Sequence, residues 1–128
     1  MPDSPLGGRP NYRIETAKTA TIVHVFNDID IANANALGDA LFRALESRRP
    51  LVIDLSDLVY VDSVGMHILL RTVQRAERAG TAAVLVATGL IRHVIEQVGL
   101  DRIVRVVPDV PAAMQALKTK SRSTAAQS

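Results

Sequence analysis

The sequence has no cysteine and no tryptophan, and only two tyrosines and two phenylalanines. Without thiols it forms no disulfide, builds no cysteine zinc site, presents no thiolate nucleophile and senses no redox change on its own. With so few aromatic rings it lacks the stacking platforms of single-strand nucleic-acid binders, and a core must be assembled from Val, Ile, Leu and Ala. No apolar run approaches the roughly 20 residues of a membrane span, and the start of the chain lacks a signal peptide's apolar segment. A soluble, cytoplasmic protein is expected. There is no GxxxxGK[ST] run for autonomous nucleotide hydrolysis, and His24 and His93 stand at no metal-ligand spacing. No cofactor or metal is expected.

What is present has globular proportions. The 128 residues are 48% hydrophobic and 22% charged, enough for one domain with one real core. The net charge of +2 could suggest a polyanionic partner, but the excess comes from Lys120 and Arg122 near the end of the chain. Residues 12 to 118 carry as many acidic as basic side chains, so the expected domain is neutral and no direct contact with nucleic acid is expected.

The first eleven residues, MPDSPLGGRPN, hold three Pro and two Gly and read as a disordered leader; residues 119 to 128 read as a disordered tail. Between them, YRIETA and TIVHVFN predict a β-hairpin, with His24 the odd member of its strand. Asn33 can cap a helix through about Ser47, because Leu37, Leu41, Ala44 and Leu45 form one apolar stripe. The runs PLVIDL and TAAVLVA have the continuous apolar character of strands covered on both faces. A helix follows Gly65, with Gly80 as its terminator, and another near Ile91 to Val98 stops at Gly99. RIVRVV supplies a last strand, and Pro108 and Pro111 introduce a helix ending near Lys118. This order predicts an α/β fold: a mostly parallel sheet of about five strands, an antiparallel edge hairpin and about four helices.

The stretch VYVDSVGMHILL, residues 59 to 70, turns from strand to helix at Asp62, Ser63 and Gly65. In a small α/β sheet that turn lies at the carboxyl ends of the strands, where ligand surfaces gather. Asp62 or Ser63 as a helix N-cap accounts for one polar residue, worth about 1 kcal/mol. A second polar residue followed by glycine leaves an open helix start whose N–H groups and dipole favour an anion, including a phosphate on Ser63. A serine hydrolase is poorly supported. DSVG lacks the glycine two residues before the serine of a nucleophile elbow, and His67 lies on the same helix as Ser63. No catalytic residue is expected. The segment NDID, residues 27 to 30, also leaves a strand on a sheet rim. Its carboxylates meet Ser63 only if strand order allows, and a turn or capping role for Asp28 or Asp30 is the simpler account.

The order of elements, NDID after the second strand, and VIDLSDLVYVDSVGMHILL together resemble the STAS domain of bacterial anti-sigma-factor antagonists, over about residues 12 to 118. The resemblance implies a partner-switching regulator of transcription. Its unphosphorylated form would bind an anti-sigma factor of the serine-kinase type and free a sigma factor, and a phosphoserine phosphatase would restore that form. The family motif is Asp-Ser-Ser/Thr-Gly, with the serine after the aspartate as phosphate acceptor. Ser63 matches it, with Asp62 and Gly65 in register, and Asp30 matches the aspartate closing a Gly-Glu-Leu/Ile-Asp motif near the acceptor. The implied partner-binding surface comprises Asp28, Asp30, Asp62, Ser63, Val64, Gly65 and Met66. Val64 stands where a second hydroxyl is usual, and Asn27 where glycine is usual. An alternative within the resemblance is a scaffold or sensory STAS module in a multi-protein assembly or beside a transporter. The single domain with loose ends favours a standalone regulator, and the pattern leaves a homodimer open.

Overall fold

The computed structural model describes residues 11–26, 28–29 and 32–127, with side chains as far as residue 118. The strands are β1 (Tyr12–Thr16), β2 (Thr21–Val25), β3 (Leu51–Asp54), β4 (Ala83–Val86) and β5 (Arg105–Val107). The helices are α1 (Ala34–Glu46), α2 (Ser63–Ala79), α3 (Gly89–Gln97) and α4 (Val110–Gln127), with a short 3-10 turn at Leu100–Arg102. One five-stranded sheet runs in the order β1-β2-β3-β4-β5, and only the β1/β2 pair is antiparallel. This is the expected α/β architecture.

Each crossover steps to the next strand in the same direction. Connections of one hand must then lay their helices on one face. Accordingly Val23, Leu51, Ile53 and Leu85 pack with Leu37 and Leu41 of α1, Leu69 and Val73 of α2 and Ile95 of α3. The alternate residues Ile22, Val52, Val84 and Val86 face the other way, against Ala113, Ala116 and Leu117 of α4. Leu51, Val52 and Ile53 are wholly buried, as a strand covered on both faces requires.

Several local expectations change. The turn between β1 and β2 spans four residues, closed by Ala17 N–H donating to Ala20 O at 2.9 Å. Arg49 clamps this turn from the chain before β3: its guanidinium donates to the carbonyls of Ala17 and Ala20. Asn33 occupies the N-cap position of α1 without capping through its side chain, because its amide donates instead to Asp28 O at 3.0 Å. Helix α4 continues to Gln127, past the end expected near Lys118 and through most of the stretch read as a tail. Asn11, counted with the leader, is buried, and its carbonyl accepts from Phe26 N–H at 2.7 Å. Gly80, at φ 71°, ends α2 in the left-handed conformation as expected.

Candidate functional site

Because β2 and β3 are parallel neighbours, the loops that follow them leave the sheet on the same rim. An isolated parallel bridge between Ile29 and Val61 zips these loops together beyond the strand ends. Strand order thus brings Asp28 and Ile29 of the NDID segment against the approach to Ser63. Asp28 reinforces the junction: its Oδ1 accepts from the backbone N–H groups of Val59, at 3.2 Å, and Tyr60, at 2.9 Å. The structural job of Asp28 is therefore to hold the 59–60 turn. Asn27 and Asp30 lie outside the described residues.

Gly65 explains how close the helix start comes. A Cβ at this position would stand 2.7 Å from Val61 Cγ1 and 2.9 Å from both Cβ and Cγ2 of Ile29. Carbon atoms do not approach so closely, so only glycine lets α2 begin against the bridged loops. Gly65 is buried, with no side chain to offer a partner.

The polar pair divides its labour. Asp62 is the N-cap: its backbone is extended, its Oδ1 accepts from Gly65 N–H at 2.9 Å, and its carbonyl accepts from Met66 N–H at 3.0 Å. Ser63 is the first helical residue and is exposed, and its hydroxyl has no hydrogen-bond partner among the described residues. With the cap supplied by Asp62, Ser63 is not needed for capping and sits at the positive end of a seventeen-residue helix.

Apolar side chains stay exposed on this rim. Val59 is 71% exposed, Tyr60 56% and Val64 37%, and Leu90, in the first turn of α3 after β4, is 62% exposed on the same rim. Beside Ser63 runs a groove of about 240 Å³, lined by Ser63, Met66, His67, Leu70, Val98, Gly99, Leu100 and Ile103. Met66 is half-buried in it and His67 is exposed, one helical turn from Ser63. No sequence pattern singles out Val98 and Ile103, because only the docking of the turn after α3 against α2 brings them here. An exposed hydroxyl at a helix start, beside a groove and on a rim with exposed apolar side chains, has the make-up of a protein-docking surface.

A second cluster lies on β1, β2 and β3, facing the α4 side. His24 Nδ1 stands 2.8 Å from Asp54 Oδ2, and its Nε2 stands 2.8 Å from Glu15 Oε1. Ser56 adds its hydroxyl, at 2.7 Å, and its backbone N–H, at 3.0 Å, to Asp54 Oδ1. Burial resists ionisation of Asp54, but the two bonds from Ser56 and the contact with His24 together outweigh it and hold the carboxyl below its usual range. Both ring nitrogens of His24 face carboxylates, so only the doubly protonated ring donates to both. This accounts for the odd residue in an otherwise apolar strand. Among the described residues no group of three His, Asp or Glu side chains could hold a metal ion, and no helix is long and apolar enough to cross a membrane.

With this geometry in view, the comparisons are specific. The STAS domain profile matches residues 11–113, and the chain belongs to the STAS family. Its fold is similar to the crystal structure of an anti-sigma factor antagonist from Mycobacterium paratuberculosis, at 29% identity and a TM-score of 0.72, covering 84% of this chain and 92% of that one. A crystal structure from Thermotoga maritima superposes with a TM-score of 0.77 at 20% identity, covering 84% and 94% of the two chains. The phosphorylated form of the Bacillus cell fate determinant SpoIIAA gives 0.65 at 15% identity, over 82% and 98%.

Proposed function

We propose that this protein is an anti-sigma factor antagonist whose unphosphorylated form binds an anti-sigma factor of the serine-kinase type through the rim around Ser63, and that phosphorylation of Ser63 releases that partner. The observation that carries this reading is the exposed Ser63 hydroxyl at the start of α2, relieved of capping by Asp62 and set among exposed Val59, Tyr60 and Val64. A phosphate there would add about −1.5 to −2 charges to a surface that otherwise offers apolar contacts. Moving a partner from about ten-to-one bound to one-to-ten needs a hundredfold change in affinity, about 2.7 kcal/mol. Charge burial at an interface costs that much without any refolding of the domain. In this reading the protein is a kinase substrate with Ser63 as the acceptor, and DSVG lacks the glycine two residues before the serine of a nucleophile elbow. A phosphoserine phosphatase completes the cycle.

Intact-mass measurement after incubation with ATP and candidate anti-sigma kinases tests the reading, with Ser63→Ala as control. One added phosphate that is absent from the variant is the expected result. A tight complex with such a kinase and no phosphate transfer would contradict the switch.

A further inference from the structure

Helix α2 carries a second surface. At 100° per residue, Arg71, Arg75 and Arg78 stand within roughly 40° of Val64 around the helix axis, so they continue the stripe that Val64 begins. The three guanidinium groups border one hollow with Phe42 of α1, Gln74 and Ala79. Arg75 lies over the Phe42 ring at 4.6 Å from its centroid, and Arg71 at 5.7 Å. Stacking on a ring uses the face of a guanidinium and leaves its edge N–H donors free. Among the described residues none of the three stands within ion-pair distance of a carboxylate. Arg78 in the last turn complements the negative end of the helix dipole, but that effect fades within a turn and does not account for Arg71 at mid-helix. A domain that is neutral over residues 12 to 118 thus places three arginines on one stripe, two of them ordered by a ring, with no carboxylate at ion-pair distance among the described residues.

We infer that Arg71 and Arg75, held against Phe42, together with Arg78 beside them, receive an acidic segment of the same protein partner that reads Ser63. This rests on the proposed function and extends it along the helix. The arginines lie roughly 10 to 20 Å from Val64 along the axis, within the roughly 30 Å breadth of an ordinary interface. Carboxylates fit the fork of a guanidinium, and two forks ordered in advance lose less freedom on binding. Nucleic acid is the poorer fit, because the one ring in the hollow is already covered by guanidinium groups and cannot stack a base. A membrane is also the poorer fit, because the hollow has no exposed apolar residue large enough to insert.

A fluorescein-labelled decaglutamate peptide, titrated into the full chain and followed by anisotropy, tests the assignment without involving Ser63. The expected result is saturable binding that weakens as salt rises from about 50 to about 200 mM, and that falls about fivefold to tenfold in Arg71→Gln/Arg75→Gln. Arg13→Gln, on the exposed edge strand, should bind like wild type. Absence of saturable binding, or equal binding by the double variant with an unchanged melting curve, overturns the inference. Tighter binding of a ten-residue oligothymidylate or of phosphatidylserine vesicles overturns the choice of an acidic protein segment. Failure here leaves the Ser63 switch standing, since phosphate transfer to Ser63 is measured separately.

Discussion

Replacing Asp62 with Ala removes the acceptor for Gly65 N–H and should cost about 1 kcal/mol in urea denaturation. Ser63→Ala should change stability by less than about 0.5 kcal/mol, because the exposed hydroxyl makes no bond among the described residues. Equal losses in both variants would mean that the two residues share the cap and that Ser63 is not free for modification. Gly65→Ala should be the most damaging change on the rim, costing about 1 to 3 kcal/mol, since a Cβ collides with Val61 and Ile29 on the two bridged loops. A Gly65→Ala protein as stable as wild type would show that the loops yield easily. The motif itself was legible as text: an acid, a hydroxyl and a glycine at a strand-to-helix turn. Which polar residue caps, and why the glycine is required, were not legible. The glycine requirement depends on the Ile29–Val61 bridge between segments 32 residues apart.

Among the elements, the strands covered on both faces were the clearest in the sequence, since PLVIDL and TAAVLVA have almost no polar residue to place in water. The α-helices were located by apolar spacing and by Gly80 and Gly99 at their ends. Strand order was beyond reach of periodicity, and the consequences of order were hidden with it. His24 looked isolated because its partners, Glu15 and Asp54, are supplied by register across β1 and β3. The same network sets a pH dependence. The folded Asp54 carboxyl ionises below its unfolded value, so its contribution is present above that value and is lost as pH falls through the folded one. Asp54→Asn should therefore lower stability at neutral pH, by about 1 kcal/mol, and flatten the loss of stability on acidification. Urea midpoints measured from neutral pH down to about pH 3 check this; an acid limb as steep as that of wild type would contradict it. The clamp by Arg49 makes a parallel case at the other end of the sheet. Arg49→Ala should loosen the β1/β2 turn, seen as faster amide exchange in residues 17 to 21, and unchanged exchange there would show that the turn needs no clamp.

The exposed Ser63 rim and the arginine stripe of α2 lie at the surface, while the buried apolar side chains form two layers on either side of the sheet. A modification at Ser63 therefore changes charge without touching the core, and the phosphorylated domain should keep the fold and melting behaviour of the unmodified one. On the proposed reading, phosphate charge at Ser63 releases the partner without refolding the domain. The most direct test of this is the affinity of the cognate anti-sigma factor, by titration calorimetry, for wild-type protein and for protein carrying phosphoserine at position 63. The account predicts a loss of about a hundredfold or more, with unchanged circular dichroism. Equal affinity of the two forms would contradict it.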